Sequence, residues 1–463
     1  MASARKAEHY DWITIGLYLS LLAVGWLVLY SIHYGQAVTT DYLSFDNPMT
    51  KHSMYLLGAL TAFGIAQLIG EKFWHTFAYL VYGMSLLLLL LVLFFGSEVK
   101  GARAWFSLGG FSFQPTELAK FGTALALSSF MTYYRTNLRQ GYFQVIAFGL
   151  ILSPMLLILL QPDAGSALVF LSFLIMLFIE GLNAWYFLGI ALLFLTLIVS
   201  FIYPLASVNY GLIIAALVTA SAFMRPVRFQ WLLVAAGAAG MVWAGNALPQ
   251  EQRMLLGISL LAFALVILWK LKEEWLALIL PAGVAILALV AYTSVAVVSK
   301  LEPHQQERIK VWLKPSECDP RGALYNVLQS KVAIGAGGFS GRGYLNGNMT
   351  RLKFVPEQST DFVFSSIGEE QGFIGAATVI LLFCALIYRI FLMSERAEHK
   401  FFRTYAACVG GLLLVHVVIN IGMTLGLFPI IGIPLPFISK GGSALIGFSL
   451  MLGVLFRMQS RKG

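Results

Sequence analysis

The sequence predicts an all-α fold, a polytopic bundle of transmembrane helices. Of the 463 residues, 59% are hydrophobic and only 11% are charged, which a soluble domain of this size would not tolerate. Long stretches such as 166–179 and 260–269 carry no charge. Because hydrocarbon forces backbone polar groups to pair internally, and because the alternating pattern of a β-barrel is missing, these stretches predict membrane-spanning helices.

About fourteen spans follow from the apolar segments taken in chain order. Those in the first part of the chain lie at about 11–32, 53–70, 74–96, 116–134, 143–160, 165–181 and 184–203. The remaining spans lie at about 209–224, 230–247, 254–271, 276–298, 362–391, 402–428 and 441–457. The chain is therefore divided into N-terminal helices (1–183), a middle helical region (184–298) and a C-terminal part (299–463), which begins with a polar loop, 299–361.

Basic residues test this topology, because they favour cytoplasmic loops. If the N-terminus is inside, the loops that contain Arg135, Arg225, Lys270 and Arg396 all fall on the cytoplasmic side, as does the C-terminal tail. The same parity places the loop 299–361 outside. The net charge of +9 is thereby explained by membrane orientation, without a nucleic-acid surface.

Asp361 is the most informative polar residue, because it stands where the outer loop enters the next apolar helix. A carboxylate at this membrane–water boundary could serve as a general base toward a lipid-borne substrate. It could equally cap the helix and be stabilised by the helix dipole. On the residues alone, the capping interpretation is favoured.

A second polar cluster lies at the start of the span 116–134. Gln114, Glu117 and Lys120 fall on one face of a helix that begins at Pro115. Charged groups inside a membrane are costly unless they are paired or face water. The cluster therefore predicts either a structural ion pair or a polar cavity wall, in which Lys120 or Arg103 binds an anionic lipid head group.

Three other segments suggest site elements on the same predicted side. The turn 161–166 contains Asp163, which could be a site residue or the cap of the next helix. The glycine-dense run 334–343, with Arg342, could hold a phosphate or be a flexible loop tip. The segment 429–443 contains three prolines and is still apolar, so it predicts irregular backbone that is buried or lines a wet cavity.

Several motifs occur in one order along nearly the whole chain: Gln114–Lys120, Gln161–Gly165, Glu307–Leu313, Gln329–Ser330, Pro356–Phe364, Glu369–Glu370 and Pro434–Ser439. With this set the chain resembles the SEDS family (shape, elongation, division and sporulation), and its RodA-like members most. The resemblance implies a peptidoglycan glycosyltransferase that polymerises lipid II with β-1,4 links during cell elongation. It also implies an active site on the outer side of the bacterial cytoplasmic (inner) membrane.

The resemblance also implies partners and residue roles. A class B penicillin-binding protein would supply the transpeptidase, and a divalent cation, Mg²⁺ or Mn²⁺, would be the cofactor. Asp361 would be the general base. The substrate-binding residues would be Arg103, Lys120 and Lys51, which offset the charge of the diphosphate, together with Glu117, Gln114 and Ser439.

The sequence departs from the family pattern in two places. SEDS proteins have about ten spans, so the region 184–298 would hold one family helix and about four additional helices. Lys440 stands where the family commonly has tyrosine. The alternatives are an FtsW-like division polymerase, a flippase or transporter of lipid-linked precursors that uses Glu117, Lys120 and Asp361, or a scaffold for the transpeptidase.

Overall fold

The computed structural model describes residues 11–34, 47–99, 101–108, 111–133, 136–205, 207–209, 211–212, 215, 276–298, 303–319 and 322–459. The chain forms two compact units. The first unit comprises Met1–Asn183 and Pro320–Gly463, and the second comprises Ala184–Asp319. All candidate site residues belong to the first unit.

Helices dominate the described residues. In chain order they are α1 (Trp12–His33), α2 (Pro48–Leu68), α3 (Glu71–Thr76), α4 (Ala78–Phe95), α5 (Pro115–Thr132), α6 (Gly141–Leu159), α7 (Ala164–Val169), α8 (Phe173–Ile179), α9 (Ala184–Ile202), α10 (Leu276–Val298), α11 (Pro303–Leu313), α12 (Ala323–Ala336), α13 (Asn348–Arg351), α14 (Val363–Glu395), α15 (Lys400–Thr424) and α16 (Gly442–Gln459). A 3₁₀ turn, Phe170–Ser172, joins α7 to α8. Helices α9 to α11 belong to the second unit.

A small antiparallel sheet interrupts the helices, which the all-α prediction did not include. Its strands are β1 (Ser97–Val99), β2 (Ala102–Leu108) and β3 (Phe111–Phe113), in the order β1-β2-β3. Two of these strands are three residues long, too short for a two-residue period to be recognised in the sequence.

The predicted spans that fall on described residues coincide with helices, but the predicted number of spans is not supported. The segments 209–224, 230–247 and 254–271 lie largely or wholly outside the described residues, and the other segments coincide with single helices or with successive short ones. Seven described helices are long and apolar enough to cross a membrane, which indicates a multi-pass membrane protein. The count of about fourteen is not supported, because an apolar stretch can fold into a short helix, as in Ala164–Ile179.

The local sequence explains where the helices near the site begin. Asp11 caps α1 by accepting a hydrogen bond from the amide of Thr14, and Asn47 does the same for α2 with the amide of Met49. Pro115 occupies the first turn of α5, where its missing N–H costs nothing. Helix α15 is largely buried within the first unit, whereas α4 and α6 expose leucine-rich surfaces suited to lipid.

The glycine-dense run packs against a kink in α14 and does not form a phosphate loop. The amide groups of residues 341–343 donate to the carbonyl groups of Gly337, Glu369 and Glu370, over 2.9, 3.1 and 2.9 Å. A Cβ atom on Gly341 would lie 2.1 Å from the Glu370 carbonyl oxygen. Both the phosphate interpretation and the flexible-tip interpretation are therefore wrong, because these amides are already used in packing.

Replacing Gly372 by alanine should destabilise the protein by about 1–3 kcal/mol. Gly372 has a φ of +65° at the kink, and an added Cβ atom would lie 2.2 Å from the amide nitrogen of Gly341. Thermal unfolding in detergent measures the effect. The control is Gly335→Ala in α12, where nothing lies within 4 Å of an added Cβ atom. An equal melting temperature for both variants would contradict this account of the kink.

Candidate active site

Asp361 lies in a turn just outside helix α14. The helix begins at Val363, its N-cap residue is Phe362, and no side chain caps it there. The predicted capping role of Asp361 is therefore wrong. Asp361 is partly exposed, and its backbone amide donates to the carbonyl of Glu357 over 3.1 Å.

The irregular segment 429–441 runs beside Asp361, as its prolines and glycines predicted. Asn420 on α15 donates from Nδ2 to the carbonyl oxygens of Asp361 (3.0 Å) and Ile433 (2.7 Å), and so ties the segment to the turn. Gly432 has a φ of +77°, and a Cβ atom there would lie 3.5 Å from Oδ2 of Asp361. The carboxylate of Asp361 therefore faces backbone that is held in position by a buried amide side chain.

Ser439 joins the same two stretches of chain. Its hydroxyl donates to the carbonyl of Thr360 over 2.5 Å and accepts from the amide of Leu435 over 2.9 Å. The amide of Lys440 donates to the carbonyl of Ser359 over 2.7 Å. The structure thus places Ser439 next to the Asp361 turn, with its hydroxyl engaged in holding the backbone, and its role in binding substrate stays a prediction.

The turn 161–166 also borders the irregular segment. Asp163 caps α7 by accepting from the amide of Ser166 over 3.0 Å, so the capping prediction is confirmed here. Gln114 donates from Nε2 to Oδ2 of Asp163 over 3.2 Å. A Cβ atom on Gly165 would lie 2.6 Å from the carbonyl oxygen of Ile431, which shows how closely the turn approaches the segment.

Glu117 and Lys120 form a buried ion pair, with 2.7 Å between Oε2 and Nζ and side-chain exposures of 6% and 3%. The ammonium group also lies 3.2 Å from Nε2 of His416 and 5.1 Å from the ring centre of Phe448. His416 in turn lies 3.2 Å from the carbonyl oxygen of Pro434. This geometry is that of a structural ion pair which supports the irregular segment, and a role of Lys120 in binding substrate stays a prediction.

Arg103 and Lys51 lie apart from that buried pair. Arg103 is on β2, and its Nε lies 3.7 Å from Oε2 of Glu98, with both side chains more than half exposed. Lys51 occupies the first turn of α2 and is half-buried. The predicted contact of Arg103 or Lys51 with a diphosphate stays a prediction.

A divalent cation at this site stays a prediction. Among the described residues, no group of three or more His, Cys, Asp or Glu side chains could hold a metal ion. Mg²⁺ or Mn²⁺ can also be held by one or two carboxylates together with substrate phosphates, and no chemical step below passes through a metal.

The sequence analysis missed two residues of the site, His416 and Asn420. They lie four residues apart on α15, so they occupy one face of the helix. Two polar side chains at this spacing in an otherwise apolar span could have indicated a site, because polar groups inside a membrane usually face the interior of a helix bundle.

Comparisons with known proteins identify the family of this chain. A family described as "Cell cycle protein" (FTSW_RODA_SPOVE) matches residues 11–239 and 211–462, which together cover almost the whole chain. The chain belongs to this family.

Its relatives carry names that agree with one another. The peptidoglycan glycosyltransferase RodA of Treponema pallidum is 28% identical, and 99% of each chain is covered. The probable peptidoglycan glycosyltransferase FtsW of Coxiella burnetii is 30% identical, with 97% of this chain and 96% of the relative covered. The family member described here is therefore similar over its full length to both RodA and FtsW proteins.

Solved structures show the same similarity. A chain from work described as "Structural coordination of polymerization and crosslinking by a peptidoglycan synthase complex" matches with a TM-score of 0.62 and 27% identity, covering 98% of this chain and 99% of that one. The crystal structure of RodA from Thermus thermophilus matches with a TM-score of 0.55 and 25% identity, covering 97% and 96%. The helical architecture of this family member is thus shared with known RodA structures.

Proposed function

We propose that this protein is a peptidoglycan glycosyltransferase of the RodA type, which polymerises lipid II during cell elongation. The observation that carries the proposal is the position of Asp361, a partly exposed carboxylate beside backbone that Asn420 and Ser439 hold in place. A general base needs such a fixed position next to an accessible substrate. The names of the RodA relatives support the same reaction.

Asp361 would accept the proton from the 4-hydroxyl group of the acceptor sugar. The oxygen would then attack the anomeric carbon of the donor sugar, and the bond from that carbon to the diphosphate oxygen would break. Undecaprenyl diphosphate leaves with the bonding electron pair, and inversion at carbon gives the β-1,4 link. The proton on Asp361 passes to water, which restores the carboxylate.

The proposed location of the reaction is the outer side of the cytoplasmic (inner) membrane of a bacterium. The basic loop at Arg396 supports this location, because it lies at the opposite end of α14 from Asp361 and basic loops favour the cytoplasmic side. Lipid II presents its disaccharide on that side. A related chain comes from a peptidoglycan synthase complex, which supports a class B penicillin-binding protein as the partner that cross-links the product.

Division is the second candidate role for the same chemistry, because an FtsW protein is 30% identical to this chain. Transport of lipid-linked precursors is a different activity. The buried contacts of Glu117, Lys120 and His416 would support it if these groups lined a transport pathway through the membrane. Those groups are packed among Phe448 and the irregular segment, which suits a structural role better.

Purified protein in detergent, supplied with lipid II and its transpeptidase partner, tests the proposal. We expect glycan chains that a muramidase digests. A second assay measures the movement of labelled lipid II across the bilayer of sealed vesicles. If lipid II moves and neither assay yields polymer, the proposed reaction is refuted and transport is favoured.

A further inference from the structure

Lys440 is a half-buried lysine that the family pattern does not explain and the mechanism above does not use. Its backbone is fixed next to the Asp361 turn, because its amide donates to the carbonyl of Ser359 and the preceding Ser439 hydroxyl donates to that of Thr360. The segment 439–440 therefore runs alongside residues 359–360. The backbone of Lys440 therefore lies next to the turn that carries the proposed base.

Lys51 approaches the same place from helix α2. Two residues after Lys440, Gly442 packs against the ring of Tyr55 so closely that a Cβ atom there would lie 2.2 Å from ring carbons. Tyr55 is four residues after Lys51, so the two share one face of α2. Burial lowers the pKa of Lys440, and the positive charge of Lys51 lowers it further, while Glu357 opposes both effects.

Neither lysine forms an ion pair within the described part of the chain, and Glu357 acts on Lys440 only from a longer distance. Among the described residues, no carboxylate oxygen lies within 4.0 Å of either ammonium group. Keeping two half-buried ammonium groups close together costs free energy, because each loses hydration and repels the other. A ligand with two adjacent negative groups would remove this cost and gain charge-assisted hydrogen bonds.

We infer that Lys440 is an additional substrate-binding residue, at a position where the family commonly has tyrosine, and that it binds the diphosphate of the lipid-linked donor together with Lys51, whose role the family resemblance already implies. The inference rests on the proposed function and identifies the groups that bind its leaving group. When the bond from the anomeric carbon to oxygen breaks, negative charge grows on the departing diphosphate. Two ammonium groups at this position stabilise this charge most in the transition state.

The test is a titration of the purified full-length protein with undecaprenyl diphosphate, in which native mass spectrometry measures the bound fraction at each concentration. Lys440→Gln should raise the dissociation constant about tenfold, the value of one charge-assisted contact, and Lys440→Arg should retain most of the affinity. Lys51→Gln, on a separate element, should act like Lys440→Gln, and it tests the site independently if the first variant does not fold. Phosphatidylglycerol, which carries one phosphate, should bind all variants equally.

The control is Lys72→Gln, which removes the same charge from an exposed lysine of α3, beyond the opposite end of α2. Unchanged affinity of Lys440→Gln and Lys51→Gln for undecaprenyl diphosphate would refute the site. An equal loss of phosphatidylglycerol binding would also refute it, by showing a general anionic-lipid surface. Asp361→Asn should bind the diphosphate normally and lose only turnover. The binding site and the reaction are therefore tested separately. If Lys440→Gln binds the diphosphate weakly but the wild type makes no polymer, the binding site is supported and the proposed reaction is refuted.

Discussion

Replacing Asp361 by asparagine should lower the rate of glycan polymerisation by a factor of about 10² to 10⁴, the usual contribution of a general base. The amide cannot accept the proton of the acceptor hydroxyl group, yet it has the size of the carboxylate. The backbone contacts from Asn420 and the close approach of Gly432 are therefore kept. Initial rates of polymer formation from lipid II by the purified protein measure the effect.

Glu395→Gln is the matched control, because it makes the same chemical change on an exposed acid at the opposite end of α14. It should leave the rate within about a factor of three, as expected for a surface change of less than 1 kcal/mol. Full polymerisation by Asp361→Asn would remove Asp361 from the role of base. A similar loss in both variants would show an effect of the total charge of the protein and not the loss of one base.

Replacing Glu117 by glutamine should destabilise the protein by about 3–5 kcal/mol, because it leaves the ammonium group of Lys120 buried without a counter-charge. Both side chains are almost inaccessible, and Lys120 already contacts His416, which cannot compensate as an anion would. The double variant Glu117→Gln/Lys120→Met removes both charges and should recover much of this loss. Unfolding in detergent, followed by circular dichroism, measures all three proteins.

Arg103→Gln is the control for this stability prediction. It breaks an ion pair with Glu98 whose partners are more than half exposed, so its effect should be below about 1 kcal/mol. If Glu117→Gln were as stable as the wild type, Lys120 would have to reach water or another anion. The polar-cavity interpretation of this cluster would then be preferred.

The candidate site could be predicted from the sequence only where its signals are local. Asp361 was found because it stands at a change from polar to apolar sequence, and the segment 429–443 because its prolines exclude a regular helix. The helix-cap interpretation of Asp361 failed, because the helix starts one residue later than the apolar pattern suggests and Phe362 occupies the N-cap position. Asn420 was missed, because its partners Asp361 and Ile433 are close only after folding.

The number of spans likewise cannot be predicted from local sequence signals alone. Hydropathy identifies apolar stretches reliably but does not show whether a stretch forms one long helix or a short interrupted one, as in α7 and α8. The glycine run is a second case, because its role depends on carbonyl groups of Glu369 and Glu370 that lie about thirty residues further along the chain.

The sequence by itself determined the class of protein, the approximate position of most described helices, the family and the identity of the proposed base, because hydropathy, turn chemistry and ordered motifs are properties of neighbouring residues. The tertiary structure decided what those residues contact. It buried Lys120 against Glu117 and His416, and it brought Lys440 beside the Asp361 turn. Such pairings join residues up to about three hundred positions apart, and only packing of the helices sets the burial and charge that determine their chemistry.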